Sequence, residues 1–114
     1  MHEIGIMQQA VAMALSAAET DGANRISRIR LDIGRLAGVA PEALEFAFEA
    51  VTHGTIAQGA KFEWNEVPVE CGCQNGCPSF RPSGVIFRCP CCEVISIDIR
   101  HGRELTLAEI DVES

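Results

Sequence analysis

The sequence predicts an α+β protein: two helices packed on a mixed three- or four-stranded sheet, with a four-cysteine ribbon inserted before the last strands. Three observations predict it. Two segments carry apolar residues at three- and four-residue spacing, other segments alternate apolar with polar residues, and six cysteines crowd between positions 71 and 92.

From Ile4 to Glu19, the residues Ile4, Met7, Val11, Ala14, Leu15 and Ala18 make one apolar stripe. Alanine favours helix there, and Gly22 is a stop signal. Arg28 to Ile33 alternates: Ile29, Leu31 and Ile33 point one way, Arg28, Arg30 and Asp32 the other. Gly34 and Gly38 bracket a loop. Pro41 suits the first turn of a second helix, with Glu42 and Glu45 complementing its dipole and Leu44, Ala47, Phe48 and Val51 making its buried face. Gly54 can end it.

Lys61 to Val67 reads as a strand with Phe62 and Trp64 on one face, and Pro68 stops it. Residues 70–93 hold Pro78, Pro82 and Pro90 and no helical periodicity, so they read as an inserted ribbon. Val94 to Ile99 alternates again through Ile95, Ile97 and Ile99, and His101-Gly102 reads as a hairpin turn. Leu105 and Leu107 continue the alternation, whereas Ile110 and Val112 take the opposite phase, which predicts a bulge near Ala108. The expected division is 1–69 with 94–114 as one domain and 70–93 as the ribbon.

Composition excludes several functions. A net charge of −7 over 114 residues, with Lys61 the only lysine, argues against nucleic acid and acidic membranes as partners. No apolar run approaches the roughly 18 residues of a bilayer span. The start lacks the basic region and apolar core of a signal peptide, so a cytoplasmic location is expected. Thiols stay reduced there, and paired cysteines then read as metal ligands rather than disulfides. His53 and His101 have no sequence-evident nucleophile or acid partner, so catalysis is not expected, though either could be an auxiliary metal ligand.

The cysteines have the spacing of a tetrahedral Zn(II) site. Cys89 and Cys92 enclose two residues, and Cys73 and Cys77 enclose three. These four are the expected zinc ligands. Cys71 could replace Cys73, and Cys91 is the other alternative, although it lies inside the second pair and would strain the turn. Four protein ligands leave no open position for water, so the site is structural. Iron held by four thiolates is the minor alternative, distinguishable by colour.

His2 suggests a second metal site. The Met1 α-amine, the His2 amide nitrogen and the His2 imidazole can close two adjacent chelate rings on one metal, with Glu3 supplying a fourth ligand through its amide or carboxylate. Nitrogen-rich square-planar coordination suits Ni(II) or Cu(II) better than Zn(II).

Met1-His2-Glu3, Ile33-Gly34 before a glycine-containing loop, the run Pro41-Glu42-Ala43-Leu44-Glu45-Phe46-Ala47-Phe48, Ala57-Gln58-Gly59-Ala60 before a strand, the cysteine ribbon and the closing Leu105–Val112 segment resemble the HypA/HybF nickel metallochaperones. The resemblance covers essentially the whole chain. It implies delivery of Ni(II) to the [NiFe]-hydrogenase large subunit precursor together with the GTPase HypB, with urease maturation proteins served in some bacteria. It also implies nickel held by His2 with Glu3 beside it, and a structural Zn(II) ribbon. One departure is plain: the family usually has two residues between the first pair of cysteines, against three here, and Cys71 and Cys91 are extra. The competing reading is a zinc-ribbon protein-interaction module without a nickel role.

Overall fold

A computed structural model describes residues 3–114. Met1 and His2, two of the three expected nickel ligands, lie outside the described residues, whereas Glu3 lies within them. Helix α1 spans Glu3–Thr20 and α2 spans Pro41–Thr52. The strands are β1 Arg25–Gly34, β2 Lys61–Val67, β3 Glu70–Gly72, β4 Asp98–His101 and β5 Leu105–Glu113. The chain divides into two compact units. One takes the segments running to Asp32, Gly38–Asn65 and Thr106–Ser114; the other takes Ile33–Ala37 and Glu66–Leu105.

In the first unit the apolar stripe of α1 is buried through Met7, Val11, Ala14 and Ala18. It packs against α2, which buries Leu44, Ala47 and Phe48. The strand side of this core is Ile26, Ile29 and Leu31. Phe48 stacks on Phe62 at 5.1 Å between ring centroids, and Phe62 on Trp64 at 6.0 Å, which seats β2 under α2. Sheet order is β2-β1-β5. Asn24 donates to the Glu113 carbonyl and Gly34 to that of Glu104, so β1 and β5 run antiparallel. Arg28 faces Glu63 and the Arg35 amide donates to the Val67 carbonyl, so β1 and β2 run parallel and the sheet is mixed. Burial along β5 changes phase between Leu107 and Ala108, where the sequence pattern also changes phase.

Arg28 ties the three strands together. Its guanidinium lies 2.7 Å from Glu63 on β2, and 2.5 Å from Glu109 and 2.8 Å from Asp111 on β5. The Arg28 guanidinium holds the carboxyls of Asp111 and Glu63 below the usual range, with Lys61 assisting at Glu63. Carboxyls depressed on folding stabilise the fold above their unfolded pKa, and that stabilisation is lost as pH falls through the folded values. Arg28→Gln is therefore expected to lower the melting temperature at pH 7, with an effect that shrinks as pH falls below the ordinary carboxylate range. A loss that stays the same as pH falls would show that Arg28 acts by packing alone.

The second sheet is a departure from expectation. Instead of a hairpin joining 94–99 to 105–112, β4 pairs antiparallel with β3, Cys71 opposite Ile99 and Gly72 opposite Asp98. The alternating isoleucines misled: Ile95 is 54% and Ile97 85% exposed, while Ser96 between them is buried. The Ser96 hydroxyl donates to the Gly72 carbonyl at 2.6 Å and accepts from the Asp98 amide, so a polar contact sets the inward phase. The chain leaves β4 at Gly102, whose φ of 120° only glycine adopts freely, and β5 then joins the other sheet. The compact unit that holds the cysteines also takes in β4 and residues 33–37.

Gly34 and Gly102 meet backbone to backbone. The Leu36 amide donates to the Gly102 carbonyl at 2.6 Å, and a Cβ on Gly34 would overlap that carbonyl group. Backbone cannot swing aside as a side chain can. Gly34→Ala is expected to cost about 3 kcal/mol, the upper end of ordinary overpacking. A thermal melt unchanged within a degree would refute the close approach.

Candidate metal centre

Two tight turns and their connecting ribbon present the cysteines. The first turn runs Cys73-Gln74-Asn75-Gly76-Cys77. Its extra residue is absorbed at Gly76, φ 87°, whose amide donates back to the Cys73 carbonyl at 3.1 Å. The second turn is closed by the Cys89 amide donating to the Val94 carbonyl at 2.8 Å and the Glu93 amide to the Cys89 carbonyl at 2.9 Å. Glu93 takes φ 64°, a left-handed conformation that costs a residue with a Cβ about 1 kcal/mol or more. Gln74 bonds the Ile95 carbonyl at 2.8 Å and couples the two turns.

The turns bring Cys73, Cys77, Cys89 and Cys92 together, with all four sulfurs within 4.8 Å of one another. Zinc bound at about 2.3 Å to four tetrahedral thiolates sets sulfurs about 3.8 Å apart. The Cys73 and Cys92 sulfurs are 3.5 Å apart. The donor set and its spacing fit a structural zinc ion. Cys71 is not in the cluster: it is fully buried on β3, exchanging backbone hydrogen bonds with Phe80, and burial raises its thiol pKa. Cys91 is exposed and also outside the cluster, since the two-residue turn aims Cys89 and Cys92 inward and leaves the residue between them outward.

Electrostatics separate Cys77 from Cys89 and Cys92. The Val94 amide, then Asn75, lower Cys92 to about 6. Backbone amides of Cys92 and Cys91 lower Cys89. Cys92 and burial push Cys77 up, because four adjacent thiolates cannot all ionise without a cation between them. Bound zinc supplies that cation, and its binding releases the remaining protons.

Asn75 was not legible as a functional residue. Its backbone amide donates to the Cys73 sulfur at 3.4 Å and its side-chain amide to the Cys92 sulfur at 3.5 Å. The bond to Cys92 favours its thiolate over its thiol. The only sequence signal was a turn-forming residue inside the first pair. Asn75→Ala is expected to keep zinc but to speed its loss to a chelator by about ten-fold. An unchanged transfer rate would remove Asn75 from the site.

The histidines outside the chain start are elsewhere. His53 is exposed at the C-cap of α2. His101 pairs with Glu104 at 2.8 Å, and that pairing with the Gly102 amide holds the Glu104 carboxyl below its usual range. Glu3 is half-buried as the first residue of α1. Among the described residues no helix is long and apolar enough to cross a membrane.

An α+β unit joined to a separate thiolate cluster that fits zinc is the build of a small metal-handling protein. The family model described as hydrogenase/urease nickel incorporation, metallochaperone, hypA matches residues 1–112. The chain is 42% identical over 112 residues to hydrogenase maturation factor HypA of Picosynechococcus sp., covering 98% of this chain and 99% of that one. It is 40% identical over 114 residues to hydrogenase maturation factor HypA of Geobacter sulfurreducens, covering 99% and 100%. The fold is shared with the solution structure of the Ni metallochaperone HypA from Helicobacter pylori, at a TM-score of 0.76 and 22% identity over 100% of this chain and 99% of that one. The chain belongs to the HypA family of nickel metallochaperones for hydrogenase maturation. A zinc-ribbon module without a nickel role is not favoured by that membership.

Proposed function

We propose that the chain carries Ni(II) at its N-terminus, on the Met1 amine, the His2 amide and imidazole, and Glu3, and hands it to the [NiFe]-hydrogenase large subunit precursor with the GTPase HypB as partner. The observation that carries this is the family match reaching residue 1, which takes in Met1-His2-Glu3. Glu3, the third proposed ligand, lies in the packed helix α1. Cys73, Cys77, Cys89 and Cys92 hold zinc as a structural ion, separate from the cargo site. Urease maturation proteins are a further partner class, and a site built from reduced thiols supports a cytoplasmic location.

Cargo must leave, whereas a structural ion must stay. Three or four ligands at a chain end form and break one at a time, while a closed thiolate cage embedded in two turns exchanges slowly. The direct test mixes nickel-loaded chain with nickel-free precursor, with and without HypB and GTP, and follows the metal after separation. Nickel on the precursor and zinc still on the chain is the expected result. Nickel that stays put under every condition, or zinc that moves with it, would defeat the delivery reading.

A further inference from the structure

We propose that Asn75 is a deamidation site guarded by the thiol cluster: in a chain whose cysteines are not closed on zinc, Asn75 converts to aspartate or isoaspartate, and the product holds zinc poorly. Asn75 is followed by Gly76, inside the first cysteine turn. Both residues are exposed, so water reaches them. The susceptibility is chemical. A main-chain nitrogen can attack the side-chain amide carbon of the asparagine before it, and glycine, with no side chain, leaves that nitrogen uncrowded and the backbone free to turn. Gly76 meets both conditions: its φ is 87°, and a Cβ built on it meets nothing within 4 Å. The other asparagines do not. Asn24 precedes Arg25 at the start of β1, and Asn65 precedes Glu66 within β2.

The reaction balances with water alone. The Gly76 nitrogen gives its proton to solvent and forms a bond to Asn75 Cγ. The Cγ–Nδ2 bond breaks, and Nδ2 takes a proton from solvent and leaves as ammonia. Water then opens the cyclic imide at either carbonyl. One opening gives aspartate. The other gives isoaspartate, in which the main chain runs through the former side chain and is longer by a methylene.

Two hydrogen bonds hold this reaction back. The Gly76 amide donates to the Cys73 carbonyl at 3.1 Å, which engages the proton that must leave. Asn75 Nδ2 donates to Cys92 Sγ at 3.5 Å, which fixes the side chain across the two turns. Both partners belong to the cluster: the Cys73 and Cys92 sulfurs lie 3.5 Å apart within it. A ribbon closed on its metal therefore keeps both bonds, and a metal-free turn releases both groups. The same contacts make the product defective. A carboxylate at position 75 has no N–H to offer Cys92 and sets negative charge beside the thiolates. Isoaspartate also lengthens the chain between Cys73 and Cys77, a turn that already carries three residues. Loaded chains are thus preserved, whereas chains that miss their zinc lose the capacity to hold it.

The experiment uses full-length protein, zinc-loaded and chelator-stripped, aged side by side at neutral pH. Peptide mass spectrometry follows the mass gain of deamidation at Asn24, Asn65 and Asn75, and enzymatic methyl labelling reports isoaspartate. Asp21-Gly22 can isomerise but gains no mass, so it does not obscure position 75. Asn75→Gln is the arrest variant, since its longer side chain closes a larger ring, and Asn75→Asp is the product variant. Zinc release to a chelator is timed for fresh protein, for Asn75→Asp and for aged protein reloaded with zinc. Two hydrogen bonds at stake predict conversion of Asn75 about ten-fold faster in the stripped protein. Asn24 and Asn65 should stay unchanged in both samples, and Asn75→Gln should gain no mass at its position. Asn75→Asp and the aged protein should release zinc about ten-fold faster than fresh protein. No conversion of Asn75 in either sample would overturn the site. Equal conversion in loaded and stripped protein would overturn the guarding by the cluster. Zinc held as tightly by Asn75→Asp and by aged protein as by fresh protein would overturn the effect on the metal.

Discussion

Cys89→Ala is expected to release zinc and to unfold the cysteine unit while the helical unit survives. Cys89 is fully buried, and its backbone closes the second turn from both sides. Its loss leaves three thiols around a cation that requires four. Structural zinc in small ribbons is worth about 10–16 kcal/mol of apparent binding, and that free energy is folding free energy. The Glu66–Leu105 segment has little to replace it, because its strands β3 and β4 are short and its Ile95 and Ile97 face water. The first unit has its own core in Met7, Ile29, Leu31 and Leu44. Helical circular dichroism is therefore expected to persist while amide resonances of residues 66–105 collapse. Two controls sharpen the result. Cys91 is exposed and outside the cluster, so Cys91→Ala keeps one zinc per chain. Cys71→Ala loses packing against its buried surroundings and keeps zinc as well. Full zinc in the Cys89 variant, or none in the Cys91 variant, would reassign the ligands.

Both helices and the cysteine set were legible because each rests on a strong local rule. Helical spacing of buried residues in α1, proline at the first turn of α2, and the short-range pairing of Cys89 with Cys92 each place a residue without knowledge of its neighbours. The second sheet was not legible for a matching reason. Val94 to Ile99 has the alternation of a half-buried strand, yet the inward residue is Ser96, chosen by hydrogen bonds to Gly72 and Asp98 that are 24 and 2 residues away. Alternation specifies a period of two and cannot say which phase is inside when a hydroxyl finds a partner. The same limit hid the Gly34–Gly102 approach and the hydrogen bonds of Asn75 to sulfur: each depends on a partner that only the folded chain supplies.

His2→Ala is expected to abolish stoichiometric nickel binding and leave zinc untouched. In the proposed site the imidazole closes one of the two chelate rings, and without it the remaining amine and amide nitrogens cannot displace an amide proton at neutral pH with useful affinity. Amine, amide and imidazole nitrogens give the strong planar field that Ni(II) accepts and Zn(II) does not. Wild-type protein should therefore take up one nickel with a square-planar d–d band, and the variant should show neither. Blocking the Met1 amine by acetylation should act as the variant does, since it removes the other ring. The pH sign follows from the ligands: amine, imidazole and amide must all lose protons to bind, so affinity falls as pH falls. His53→Ala and His101→Ala provide the counter-test. His101 is engaged by Glu104 and His53 stands at the far end of α2, so both variants should retain the nickel band. Equal nickel uptake by the wild type, His2→Ala and the acetylated chain would move the cargo site off the N-terminus and return the thiol cluster to consideration as the place where nickel binds.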